Sequence, residues 1–128
     1  LPAVKRFNHH NGIAPYNGMV AVVNNSLVLP DEELRSAQIQ AEYDQCEKAA
    51  LIVGGKAPIR LDWRANASGE YFLFDLNMKP NLTVASRPHR ADQDSLTALA
   101  ARKIGWSYTD LLINILKQKW KLPDGYRE

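Results

Sequence analysis

The sequence predicts a mixed α/β chain of the α+β kind, an antiparallel sheet whose central piece is a β-hairpin packed by helices. Three observations lead there. Two stretches alternate apolar and polar residues, Ala57 to Arg64 and Tyr71 to Asn77, and the turn formers Asn66, Ser68 and Gly69 lie between them. An apolar stripe, Ile39, Tyr43, Cys46, Ala50 and Val53, recurs at steps of four and three. Two closing segments, Asp94 to Ile104 and one opening at Ser107, carry helix stop and start signals. A period of two marks a half-buried strand, and steps of three and four mark one face of a helix.

The 128 residues, 45% apolar and 23% charged, suit one folded domain with no second domain of ordinary size. Sixteen Lys and Arg against 14 Asp and Glu leave a net charge of +2, which argues against a nucleic-acid groove. The single cysteine excludes an internal disulfide framework and agrees with a cytoplasmic location. No apolar run approaches the roughly 20 residues of a membrane helix. The opening Leu1-Pro2-Ala3-Val4-Lys5-Arg6 has no signal core and no initiator methionine, so a piece of a longer polypeptide is expected.

Residues 1 to 18 are dense in Asn, Gly and Pro and read as a loop or flexible arm. Met19 to Val23 is a short β-branched run and reads as a strand, turned by Asn24-Asn25-Ser26. Pro30-Asp31-Glu32-Glu33 puts acids in a first turn, and Gly54-Gly55 supplies a stop, so one helix is expected over about 31 to 53. Cys46 lies on its apolar stripe with no flanking His or Arg and reads as core, not as a reactive thiol. Met78 to Asp92 has two prolines and no period and reads as a long loop. Ser107-Tyr108-Thr109-Asp110 is a capping-box variant, followed by Leu111, Leu112, Ile115 and Leu116 on an apolar face.

Register decides the chemistry of the hairpin, because a slip of one residue carries every side chain to the opposite face. Pairing Asn66 with Tyr71 leaves the loop Ala67 to Glu70, sets Asp62 opposite Asp75 and sets Arg60 opposite Asn77. On that register Ile59, Leu61 and Trp63 share one side of the first strand, with Arg60, Asp62 and Arg64 on the other. In the second strand Phe72, Phe74 and Leu76 take one side, and Tyr71, Leu73, Asp75 and Asn77 the other. Two carboxylates facing across a hairpin repel unless a cation neutralises them. Mg²⁺ takes carboxylate and amide oxygens of the kind Asp62, Asp75 and Asn77 offer, and an arginine beside it would stabilise charge on a transferred phosphoryl group. The alternative is an exposed hairpin whose acids make ordinary ion pairs with Arg60 and Arg64.

The run Arg60-Leu61-Asp62-Trp63, then Gly69 through Thr83 with Asp75-Leu76-Asn77 and Pro80-Asn81-Leu82-Thr83, resembles the C-terminal part of the ATP-grasp superfamily, nearest in pattern to the D-alanine–D-alanine ligases. The later run Ile104-Gly105-Trp106-Ser107-Tyr108 to Leu112 resembles that family's closing helix. Two departures stand out: Asp75 where the family usually has Glu, and Asn81 where it usually has Gly.

The resemblance implies a single partial ATP-grasp C-terminal domain over residues 1 to 128. It implies an ATP-dependent ligase that joins a small-molecule carboxylate to an amine through an acyl phosphate. ATP and Mg²⁺ are the implied cofactors, with Asp62, Asp75 and Asn77 as metal ligands, Asp75 and Asn77 meeting the nucleotide phosphates, and Arg60 as the catalytic contact to the phosphoryl group. Ser86 and Arg87 would bind the carboxylate of the attacking amine. The lysines and glycine-rich loop of the family have no match in this sequence, so the N-terminal remainder of the protein is the implied partner, with neither membrane nor nucleic acid. A homodimer is compatible with the resemblance. The alternatives are a non-catalytic ATP-grasp-like binding domain and a phosphotransferase on the same scaffold.

Overall fold

The computed structural model describes residues 1–7, 24–85, 89, 91 and 93–118. The expected strand at Met19 to Val23, Ser86 and Arg87 fall outside them. The described chain is mixed α and β, as its periodicities predict, but its strands form two separate antiparallel pairs. Strand β1 (Val4–Arg6) pairs with β2 (Ser26–Val28), and β3 (Arg60–Ala65) pairs with β4 (Tyr71–Asn77). Thus part of the segment expected to be an arm is a strand: Val4 and Arg6 alternate with the exposed Lys5, a half-buried pattern that the surrounding turn formers obscure.

The helix expected over 31 to 53 is two helices, α1 (Asp31–Leu34) and α2 (Ala37–Ile52). The break has a local cause. Ser36 takes an extended backbone and its hydroxyl accepts the N–H of Ile39, so a second helix is capped where the first would have continued. At the far end Gly54 takes φ 62 and the Gly55 N–H reaches the Ala50 carbonyl at 2.9 Å, the left-handed stop that Gly54-Gly55 predicted.

Helix α2 joins the two sheets. The Tyr43 hydroxyl accepts the Ala3 N–H at 2.8 Å, and the Tyr43 ring meets Trp63 edge-on with centroids 6.0 Å apart. Trp63 also donates its indole N–H to the Cys46 sulfur at 3.1 Å, and Gln38 donates to the Gly69 carbonyl at the hairpin turn. Cys46 is half-buried, and burial pushes its thiol pKa up, so it is a packing residue as the stripe predicted.

Helix α3 (Leu96–Lys103) starts at the Ser95 cap, two residues after the expected start, because Asp94 turns inward. Its carboxylate accepts the Ala85 N–H at 2.9 Å and pairs with Arg102 at 3.0 Å, while Ser95 N–H donates to the Thr83 carbonyl. These bonds close the base of the loop that leaves at Thr83 and returns at Asp94. Helix α4 (Tyr108–Lys117) opens on Ser107 and Asp110, which form the reciprocal capping box read from the sequence. Of its apolar residues Leu111 is buried, whereas Leu112 and Leu116 are exposed.

The Ser107 hydroxyl and N–H both donate to Asp110 and hold its carboxyl pKa below the ordinary value of 3.8. A depressed carboxyl contributes its stabilisation above the unfolded pKa and loses it as pH falls through the folded one. Acidification below the ordinary carboxylate range is therefore expected to fray the first turn of α4. Amide exchange at Asp110 and Leu111 should rise with acid in the parent beyond the intrinsic change, and Asp110→Asn should remove that dependence.

Candidate functional site

The hairpin carries the candidate residues Arg60, Asp62, Asp75 and Asn77, and its geometry departs from the expected register in one place. Arg60 pairs with Asn77, Leu61 with Leu76 and Asp62 with Asp75, as predicted. Beyond Asp62 the register shifts by one: Trp63 faces Leu73, Arg64 faces Phe72 and Ala65 faces Tyr71. The predicted pairing of Asn66 with Tyr71 is thus replaced, and the loop is Asn66 to Glu70 in place of Ala67 to Glu70.

The turn explains the shift. Asn66 N–H donates to the Glu70 carbonyl, the Asn66 side-chain oxygen accepts from the N–H groups of Ser68 and Glu70, and Gly69 takes φ 85. This tight turn with a left-handed glycine sets its own register. A bulge that leaves Phe74 unpaired restores the expected pairing at Asp75.

The bulge also corrects the predicted faces of β4. Tyr71 and Leu73 join Leu61, Trp63 and Leu76 on the side of α2, where Tyr71 meets Trp63 edge-on at 6.2 Å. Phe72 turns to the opposite side, and Phe72 and Phe74 are both exposed. Only the part of the hairpin beyond the bulge keeps the predicted parity. That part holds Arg60, Asp62, Asp75 and Asn77 on one face.

A cation sits at the two facing acids, and it is Arg60. Its Nε and Nη2 make a forked contact to Asp62, at 2.9 Å to Oδ1 and 2.9 Å to Oδ2 respectively. The same Nη2 lies 3.7 Å from Asp75 Oδ2. Asp62 is 29% exposed and Asp75 50%, so Asp75 is the carboxylate open to a ligand from solvent. The Asn77 side-chain oxygen accepts the Lys79 N–H at 2.9 Å and so fixes the chain just past the strand.

The donor set on this face is all oxygen, two carboxylates and an amide, which is the chemistry of a hard divalent cation. Among the described residues no group of three or more His, Cys, Asp and Glu could hold a metal. A cation here would therefore need water or phosphate oxygens to complete its shell, as Mg²⁺ commonly does.

The structure also brings in Arg6, Ser95 and Thr97, which carry no mark in the sequence. Arg6 of β1, and Ser95 and Thr97 at the start of α3, line a cleft beside Arg60 together with Asn81 after the hairpin. The Arg6 guanidinium is held below its usual value first by burial and then by Arg60, with Asp62 opposing. No alternation marks Arg6, since Val4-Lys5-Arg6-Phe7 sets two cations side by side.

The fold and this face define a class in physical terms, a scaffold of helices and two antiparallel strand pairs that presents paired acids and an arginine on one face of a hairpin. A D-alanine–D-alanine ligase of Idiomarina loihiensis is 33% identical over 72 residues, a span that covers 56% of this chain and 20% of that enzyme. The chain thus aligns with about a fifth of the length of the ligase it matches. No family model and no solved structure matches the chain. No helix of the described residues is long and apolar enough to cross a membrane.

Proposed function

We propose that this chain supplies the metal- and phosphate-facing hairpin of an ATP-dependent carboxylate–amine ligase of the ATP-grasp type. The observation that carries this reading is Arg60 seated between Asp62 and Asp75 on one face of β3 and β4. The partial similarity to a ligase supports it.

In the proposed reaction a substrate carboxylate oxygen attacks the γ-phosphorus of ATP and the β,γ-bridging oxygen leaves with ADP. An amine then attacks the acyl carbon, phosphate departs with the bonding pair, the nitrogen loses a proton, and an amide remains. When bound, Mg²⁺ neutralises charge on the phosphate oxygens. Asp62, Asp75 and Asn77 would hold it on their shared face, with Asp75 and Asn77 nearest the nucleotide. Arg60 stabilises the oxygens of the phosphoryl group in flight, since a guanidinium fork matches them and Asp62 fixes its orientation. Ser86 and Arg87 are assigned to the carboxylate of the attacking amine, and the N-terminal remainder of the protein to the adenine.

Asp75→Ala in the full-length protein is expected to lower Mg²⁺-dependent ADP release by about 10²-fold or more. Asp75→Glu should retain much of it, because it lengthens the same donor by one methylene. Unaltered turnover in Asp75→Ala would remove the assignment. The second reading is a non-catalytic nucleotide-binding domain, favoured by the ion pairs that already engage Asp62. Calorimetric binding of Mg–ATP with no ADP or amide formed would select it.

A further inference from the structure

We infer that Asp94 and Arg102 are a positioning pair for the small-molecule substrate: together they hold the start of α3 against the segment that follows the hairpin, and so set the cleft between the two. The inference rests on the ligase reading given above and gives a role to two residues outside its metal and phosphoryl machinery.

The Asp94 side chain is only 8% exposed, and a carboxylate so placed needs partners. It has them from two directions. Its Oδ1 accepts the Ala85 N–H at 2.9 Å and Arg102 Nη2 at 3.1 Å, while Oδ2 meets Arg102 Nε at 3.0 Å. The guanidinium fork is planar and orients the carboxylate, so the oxygen offered to Ala85 has one direction. Arg102 stands in the last turn of α3 and Asp94 just before its Ser95 cap, so the pair spans the helix and fixes Ala85 to it.

A second bond runs beside this one. Ser95 N–H donates to the Thr83 carbonyl at 2.9 Å. Thr83 in turn donates its N–H and hydroxyl to the Asn81 side-chain oxygen, and Asn77 accepts the Lys79 N–H. Alternate residues from Asn77 to Ala85 are thus held in series, and the series ends on Asp94.

What the series holds is one cleft. Pro80 and Asn81 line it from the hairpin side, and Ser95 and Thr97 from α3, around about 150 Å³. That is below the ~300 Å³ at which sites for whole drug-sized ligands begin, so it fits one functional group of a small substrate and not a nucleotide. Asp94 and Arg102 are not among its lining residues. They act through the residues they hold, since a shift of Ala85 and Ser95 moves the walls and misplaces what lies between them.

Free amino acids carry both a carboxylate and an amine, so they probe both small-molecule positions of such a ligase. The test follows ADP release by the full-length protein with Mg–ATP and whichever free L- or D-amino acid supports it best. Arg102→Gln is expected to raise the KM for that amino acid about 10-fold or more and to leave the KM for ATP within about twofold. Arg102→Lys, which keeps the charge without the fork, should fall between that variant and the parent. Asp94→Asn should match Arg102→Gln, and the double variant should raise the KM no further, because the two side chains act as one unit. A merely structural ion pair gives another result: its loss lowers the folded fraction, and so kcat, while both KM values stay at the parent's. The Arg102 guanidinium is 58% exposed, so its variant serves where Asp94→Asn does not fold. Parent KM values in Arg102→Gln, or an equal rise in the KM for ATP, would overturn the proposal and leave the ligase reading intact. No ADP release from the parent with any amino acid would overturn both together.

Discussion

Trp63→Ala is expected to destabilise the chain by about 3 kcal/mol, the low end for truncating a large aromatic because the residue is only half-buried. A two-stranded ribbon is marginal in water unless a helix or further strand covers one face. Here Trp63 ties the hairpin to α2, together with the bond from Gln38 to the Gly69 carbonyl. It packs edge-on against Tyr43 at 6.0 Å and Tyr71 at 6.2 Å and donates to Cys46. Such ring pairs contribute about 0.5–1.5 kcal/mol each beyond the area they bury. Removal of the indole takes away the hairpin ring that Tyr43 meets and leaves Tyr43 its bond to Ala3. Trp63→Phe should cost about 1 kcal/mol, since the ring contacts survive and the bond to sulfur is lost. Urea unfolding followed by far-UV circular dichroism measures both. Equal midpoints for Trp63→Ala and the parent would show that the hairpin does not depend on α2.

The same tryptophan shows where sequence reasoning reached and where it stopped. Alternation placed Leu61 and Trp63 on the α2 side of β3 correctly because β3 itself is unbroken, and placed Asp62 opposite Asp75 because that pair lies beyond the bulge. It assigned Tyr71 and Leu73 to the wrong side because a period of two assumes an unbroken ladder. The Asn66 to Glu70 turn imposes its own register, and the mismatch is absorbed at Phe74, a residue with no sequence mark that sets it apart.

The helix boundaries divide in the same manner. Gly54, Gly105 and the Ser107–Asp110 box were legible because each is a local signal. The break at Ser36 was not, since a serine inside a polar run reads equally as a cap or as a surface residue. The inward turn of Asp94 depends on Ala85 and Arg102, partners nine and eight residues away, which no local pattern announces. Arg6 lay furthest out of reach, since its neighbours in the cleft come from β3 and α3 and only the assembled chain brings them together.

Arg60→Ala is expected to lower turnover of the full-length protein by ~10³-fold or more, the scale on which an arginine at a transferring phosphoryl group acts. The physical argument does not end with the lost donor. Arg60 also holds apart two carboxylates that face each other across β3 and β4, one by a fork and the other at 3.7 Å. Without it Asp62 and Asp75 repel directly, so the hairpin itself is expected to loosen. Arg60→Lys should recover little activity, because a single ammonium cannot span Asp62 and a phosphoryl oxygen as a planar fork does. Mg²⁺ separates the two roles. If the paired acids are a cation seat, millimolar Mg²⁺ should raise the melting midpoint of Arg60→Ala well above its effect on the parent, by supplying the charge that the arginine provided. Activity should stay low, since the ion restores the neutralisation but not the donor. Adding Asp62→Asn and Asp75→Asn should abolish the Mg²⁺ response, because amides no longer repel and bind the ion weakly. A melting midpoint of Arg60→Ala indifferent to Mg²⁺ would mean that the acids hold no divalent ion, and parent-level turnover would mean that the phosphoryl group is stabilised elsewhere.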